Sequence, residues 1–198
     1  MFVERLKEKF GENKPIFTYE ILDTFKEYTK AYVFRLLNKA IQNDEIMKHS
    51  TGVYYIPKKT VLGYSKLLPD KIITKKYIKN NDEVYGIYGG IYLENILDLT
   101  TQVPNIIEII SNNESTRSRK ITIDGREFIL KKSRCEITKD NYKEYILLEL
   151  LSKKKPLMDI GTIKKYVEDN SIEKENLLET AKYFPSTTFK NLVMSGVL

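Results

Sequence analysis

Thr29–Thr60 reads TKAYVFRLLNKAIQNDEIMKHSTGVYYIPKKT, and its parsing decides the fold expected of the N-terminal part of the chain. Val33, Leu36, Leu37, Ala40 and Ile41 fall at the i, i+3, i+4, i+7, i+8 spacing that gives a helix one buried face. The opposite face carries Ala31, Arg35, Asn38 and Gln42, flanked by Tyr32, Phe34 and Lys39. Thr29 suits the N-cap, because its hydroxyl oxygen can accept an otherwise orphaned backbone N–H. Asn43 and Asp44 break the periodicity. Ile46–His49 and Val53–Ile56 then read as two strands around Ser50-Thr51-Gly52, with the glycine suited to a left-handed turn position. Pro57 ends the second strand, since it has no N–H to give a ladder. A helix with a basic, hydrogen-bonding outer face followed by a short basic hairpin is the second half of a winged helix-turn-helix.

The residues before it fit the same plan. Phe2, Val3, Leu6 and Phe10 predict a short amphipathic helix stopped by Gly11. Pro15 favours extended backbone over Lys14–Phe17. Thr18 opens a second short helix with Ile21, Leu22 and Phe25 inward, and a tight turn at Lys26–Tyr28 leads into the next. Helix, short strand, helix, helix and hairpin in this order is the winged-helix order. Residues 1–60 are therefore assigned to a winged helix-turn-helix domain.

Farther on, Val61–Pro69 is read as a connector on its Gly63, Pro69 and weak periodicity, and residues 70–198 as a second domain. A helix is expected over Asp70–Ile78. Gly86, Gly89 and Gly90 lie among Tyr85, Tyr88 and Tyr92, a pattern that lets another element pack closely. Their G-x-x-G-G spacing is not a dinucleotide-binding loop. Asn105–Ser111, Lys120–Ile123 and Arg126–Lys131 predict strands, the last two joined by an Asp124-Gly125 hairpin turn. The rest reads as helices: Tyr142–Leu151, ending in the Lys153–Lys155 run that complements a helix dipole, then Ile160–Val167, Leu177–Phe184 and Thr187–Val193. The fold class expected is α+β: the winged helix followed by a mixed α/β domain with a small antiparallel sheet and a helical C-terminus.

Composition sets the outer limits. Of 198 residues, 41% are hydrophobic and 30% charged, which fits a chain able to bury a core. Lys+Arg 33 against Asp+Glu 27 gives +6, compatible with a polyanionic partner. The single cysteine, Cys135, rules out an intrachain disulfide and fits a reducing compartment, with packing its expected role. MFVERLKEKFG carries too many charges for a signal peptide. No stretch approaches the roughly 18 apolar residues of a membrane span. A cytoplasmic protein without a membrane role is expected, monomeric in solution.

Recognisable catalytic chemistry is scarce. One histidine, His49, lies in the expected hairpin, far from any nucleophile. There is no P-loop, no G-x-S-x-G and no C-x-x-C. A restriction-type nuclease would need an acidic residue and a Glu-x-Lys on adjacent strands, yet the only Glu-x-Lys is Glu12-Asn13-Lys14. The chain is expected to be non-enzymatic, with no cofactor and no metal. The candidate DNA-binding residues are Lys30, Tyr32, Arg35, Asn38 and Lys39 on the helix and Lys48 and His49 on the hairpin. Arg35 and Asn38 have the donor geometry for guanine and adenine edges, whereas the lysines and His49 suit phosphates. Lys58 and Lys59 also lie where the hairpin would meet phosphates. A second basic set, Arg117, Arg119, Lys120, Lys131, Lys132 and Arg134, fits a solvated sheet surface as well as a binding role.

Several runs resemble a known family. Asn43-Asp44-Glu45-Ile46, then Gly52-Val53-Tyr54-Tyr55-Ile56-Pro57-Lys58 and Leu62-Gly63, are similar to the wing of AbiEi-type antitoxins. Gly86-Ile87-Tyr88-Gly89-Gly90 with Leu97-Asp98-Leu99-Thr100-Thr101-Gln102-Val103-Pro104, and later Ala181-Lys182-Tyr183-Phe184-Pro185, resemble its other landmarks. The resemblance implies the antitoxin of a bacterial type IV toxin–antitoxin system. Its winged helix would repress its own operon by binding inverted repeats in double-stranded DNA. Its C-terminal domain would counter a nucleotidyltransferase-like toxin without forming a stable complex. The competing expectation is a non-enzymatic protein-interaction module, with a structural winged helix and a tyrosine-rich middle that binds a partner.

Overall fold

The computed structural model describes residues 1–61, 63–153 and 158–198. They form an α+β chain that divides into two compact units, Met1–Lys75 and Lys76–Leu198.

The first unit runs α1 (Phe2–Phe10), β1 (Ile16–Phe17), α2 (Thr18–Thr24), α3 (Lys30–Gln42), β2 (Met47–Ser50) and β3 (Val53–Tyr55). Its strands form a three-stranded sheet in the order β1-β3-β2. Ile16 faces Tyr54 and Phe17 faces Val53, while Met47 and Lys48 pair with Tyr55 and Tyr54. The core beneath it is built from Leu6, Ile16, Ile21, Phe25, Val33, Leu37, Ala40, Ile46, Tyr54 and Ile56. The starts of α2 and α3 are each met by a side chain placed in advance by the sequence. Glu20 Oε2 accepts from the Phe17 N–H at 2.8 Å, and Thr29 Oγ1 accepts from the Tyr32 N–H at 3.3 Å. Asp44 ends the turn after α3 in the left-handed region, φ 57°, which aspartate tolerates better than most residues.

The boundary differs from the expected connector at 61–69. Lys58–Ser65 folds back on itself as a two-stranded ladder, β4 (Lys59–Thr60) and β5 (Gly63–Tyr64). The Leu62 of the expected motif lies outside the described residues. A short helix, α4 (Pro69–Ile73), follows and runs into one π-helical turn, Thr74–Ile78. Pro69 suits the first helical position because its missing N–H would be an orphan there. Residues up to Lys75 belong to the first unit because two lysines tie them to it. Lys71 Nζ donates to the Asn13 carbonyl at 2.8 Å, and Lys75 Nζ to the Pro15 carbonyl at 2.8 Å.

In the second unit, β6 (Lys79–Asn80) and β7 (Glu83–Val84) form a small ladder ahead of β8 (Gly86–Gly89) and α5 (Gly90–Ile96). Then come β9 (Ile106–Ser111), β10 (Ser118–Ile123) and β11 (Arg126–Lys132), and the helices α6 (Tyr142–Leu151), α7 (Ile160–Asp169), α8 (Lys174–Ala181) and α9 (Ser186–Met194). Asp124 and Gly125 both take positive φ, 47° and 79°, as a tight hairpin turn between β10 and β11 requires.

The sheet itself corrects the expectation of an antiparallel one. Its order is β10-β11-β9-β8, with β11 parallel to β9 and the other pairs antiparallel. Phe128 and Leu130 of β11 are fully buried on one face of the sheet, and its backbone is paired along both edges, by β10 and β9. β10 carries exposed Arg119 and Lys120 and takes the outer position. Gly86–Gly89 supplies the fourth strand, a glycine-rich segment without the period-2 pattern of the others. A Cβ on Gly86 would stand 2.0 Å from the Tyr77 carbonyl oxygen and 2.8 Å from that of Ile110. Only glycine lets those backbones close in.

Helix α6 is the hub of the second core. Tyr145, Leu147, Leu148, Leu150 and Leu151 are buried, and α8 and α9 pack against it. Phe184 meets Tyr145 edge-on at 5.0 Å between ring centroids. Glu144 is buried as well, so the helix has no wet stripe and no single apolar side.

Candidate nucleic-acid interface

Helix α3 buries Val33, Leu37 and Ala40 and leaves Lys30, Ala31, Arg35, Asn38, Lys39 and Gln42 exposed. At 100° per residue Arg35 stands at the middle of the outer face, opposite Val33 and Leu37. Asn38 lies on one flank; Tyr32 and Lys39 lie on the other. Lys30 points away from Arg35 by the same rotation, toward the side of Leu37 and Ile41, and is exposed because it sits at the helix start. Lys39 lines a groove with Met1, Phe2 and Glu4 of α1 and with Asn43 and Glu45. The structure therefore brings Tyr32, Arg35, Asn38 and Lys39 onto adjoining outer positions, and it separates Lys30 from them.

Tyr32 and Phe34 find definite places. Phe34 is half-buried against the core of the first unit. The Tyr32 ring lies under the Arg35 guanidinium, whose central carbon is 4.8 Å from the ring centroid. On the hairpin, Lys48 is exposed and paired in register with Tyr54. His49 occupies the irregularity between Lys48 and Ser50 and is half-buried. The turn itself is Thr51-Gly52, with Gly52 at φ 79°. Lys58 and Lys59 lie on the following ladder and are exposed.

The two basic sets differ in their partners. Among the described residues, no ion pair engages Lys30, Arg35, Lys39 or Lys48. The second basic set is largely neutralised within its own unit. Arg119 Nε is 2.7 Å from Glu114 Oε2, a carboxylate whose side chain is only 2% exposed, and its Nη2 reaches the Tyr77 hydroxyl. Lys120 pairs with Glu127, and Lys131 Nζ with Glu108 at 2.5 Å. The Arg134 guanidinium lies 5.3 Å from the Phe184 ring centroid, with Nε 3.9 Å from Glu149 Oε2. These cations hold the sheet and helices together.

That pairing surrounds a cleft the sequence reading missed, lined by Gly90, Glu108, Lys131, Glu149, Ser152 and Lys153 among others. Lys153 Nζ sits 2.5 Å from the buried Glu94 carboxylate. Lys153 therefore serves a tertiary ion pair, while Lys154 and Lys155 of the expected dipole-complementing run lie outside the described residues. Burial pushes the Glu149 carboxyl above the usual carboxylate range, with Arg134 and Lys131 pulling the other way. Gly90 sits in the left-handed region, φ 61°, with the Glu108 carboxylate carbon 2.9 Å from where its Cβ would be. The available signal was a lone acid inside an apolar run: Glu108 in IIEIIS and Glu149 in YILLELL. Two residues before Lys131 stands Ile129, in register with Glu108, so the Glu-x-Lys place is apolar. Among the described residues, no three His, Cys, Asp or Glu side chains are grouped to hold a metal ion. Among them, too, no helix is long and apolar enough to cross a membrane.

No curated protein matches this sequence. A family profile does, over residues 12–182, from just after α1 to just past α8, and so across α3, the hairpin, the mixed sheet and the α6 hub. The chain belongs to DUF6088, a family of unknown function.

Proposed function

We propose that the chain is a sequence-selective double-stranded DNA-binding protein whose first unit is a winged helix-turn-helix. α3 enters the major groove, and the β2–β3 hairpin is the wing. The observation that carries this reading is that Arg35 and Lys39 on the outer face of α3, beside Asn38, and Lys48 on β2 are exposed and have no carboxylate partner among the described residues. An arginine fork and an asparagine amide on one helix face match guanine and adenine edges. Lys48 is an ammonium on a strand and contributes phosphate contacts.

Selection of duplexes from a random pool by the full chain tests the reading. The expected result is enrichment of an inverted repeat that also occurs upstream of the chain's own gene. Arg35→Ala should then cost about 1–3 kcal/mol and blur preference at one position. Unchanged affinity and unchanged preference in Arg35→Ala would remove α3 as the reader.

The resemblance to AbiEi-type antitoxins extends the proposal to an autorepressor that counters a nucleotidyltransferase-like toxin. A nucleotidyltransferase gene next to this one, and growth rescue by residues 76–198 alone, are the expected results. Rescue that requires the first unit, with both genes on unrelated promoters, would refute that division of labour.

A further inference from the structure

Tyr32 was expected to face the duplex, but the structure gives its ring another occupant. An aromatic ladder climbs from the core of the first unit to the outer face of α3. Phe2 stacks on the buried Phe25 at 4.5 Å between centroids. Tyr28 follows Phe25 at 6.4 Å, and Tyr32 follows Tyr28 at 5.2 Å. The Arg35 guanidinium caps the series, 4.8 Å from the Tyr32 centroid. Each rung is held by the one below, and the lowest is anchored in a side chain 3% exposed. Helix geometry brings the last pair together, because Tyr32 and Arg35 are three residues apart on α3, while Tyr28 stands in the turn just before the Thr29 cap.

A free arginine side chain has several rotors to immobilise when it meets a base edge, and that ordering opposes binding. A guanidinium resting on an aromatic face loses part of that freedom beforehand, and stacking leaves its in-plane N–H fork available. We infer that Tyr32 is a positioning residue that presets the Arg35 fork for base recognition, and that it does not itself read DNA. This rests on the DNA-binding reading given above and names how one of its residues is prepared.

A double-mutant cycle between Tyr32 and Arg35 tests it. The probe is the duplex enriched by the wild-type chain, set against the same duplex with single base-pair changes. Tyr32→Leu removes the ring but keeps a good helix former, and should lower discrimination at the Arg35-dependent position about two- to five-fold, the effect of one exposed cation–π contact. Tyr32→Phe retains the face of the ring and should match wild type. In an Arg35→Ala background Tyr32→Leu should cost nothing further, because the fork it positions is gone. Equal losses in both backgrounds would overturn the inference and make Tyr32 an independent contact. So would a loss in Tyr32→Phe as large as in Tyr32→Leu, which would assign the hydroxyl to the DNA. Should Tyr32→Leu melt well below wild type, Tyr28→Leu takes its place, with the same direction and dependence on Arg35 expected. A chain that enriches no duplex, or whose Arg35→Ala keeps full preference, fails at the reading itself and takes this inference with it. A flat cycle alongside a sensitive Arg35→Ala fails here alone.

Discussion

Lys75→Ala is the most direct test of where the first unit ends. Lys75 Nζ lies 2.7 Å from Glu20 Oε2 and 2.8 Å from the Pro15 carbonyl oxygen. It also sits over the rings of Phe10 and Phe17, at 4.9 and 5.5 Å. The two side chains of the pair are 12% and 10% exposed. Removing one partner of a buried pair typically costs about 3–5 kcal/mol, because the other charge stays behind uncompensated. Two features moderate that figure. The Phe17 N–H still serves the Glu20 carboxylate at 2.8 Å. The lysine is itself penalised by burial, which lowers its pKa from the ordinary value against the pull of Glu20. The net expectation is about 2–4 kcal/mol. For a unit of this size each kcal/mol moves the midpoint by roughly 4–8 °C. Urea titration of the full chain, followed by circular dichroism, is the assay. The paired replacement Glu20→Gln with Lys75→Met should recover much of the loss, since it leaves no unpaired charge. A loss below about 1 kcal/mol in Lys75→Ala would mean the pair behaves as a surface bridge. A double variant as unstable as the single one would refute the uncompensated-charge account.

Three further outcomes are expected. Lys48→Ala should weaken binding to all duplexes alike and lower the slope of log affinity against log salt by about one, with little change in melting temperature; a sequence-dependent loss would contradict a phosphate role. Glu149 has a raised folded pKa, so its contribution to stability is complete below the unfolded value and is lost as pH rises through the folded one. Glu149→Gln should accordingly gain on wild type as pH climbs above the ordinary carboxylate range, and parallel stability curves from pH 4 to pH 8 would refute this. Gly86→Ala forces a Cβ against two backbone carbonyls and should cost at least the ~3 kcal/mol upper end of overpacking, read by thermal unfolding; a neutral result would mean that the β8 backbone is not so closely approached.

The sequence by itself determined the local elements. The capped apolar stripe of α3, the Thr51-Gly52 turn and the Asp124-Gly125 hairpin follow from side-chain period and allowed φ, which neighbouring residues fix without help from the rest of the chain. The exposed candidates on α3 were legible for the same reason, since a residue's place on a helix follows from its spacing to the buried stripe. Tertiary structure alone decided what depended on residues far apart. It placed β11 beside β9, pairing the second backbone edge of β11 with a strand about twenty residues upstream, although a hairpin with β10 was all the local signal offered. It joined residues up to Lys75 to the first unit through bonds to Pro15 and Glu20, more than fifty residues upstream. It also separated the two basic sets. Runs of like composition look alike in one dimension, but Arg119, Lys131 and Arg134 met carboxylates brought by the loop after β9, by β9 and by α6, and among the described residues the cations of α3 met none. A charge's freedom is a property of what the fold places next to it, and spacing along the chain does not encode that.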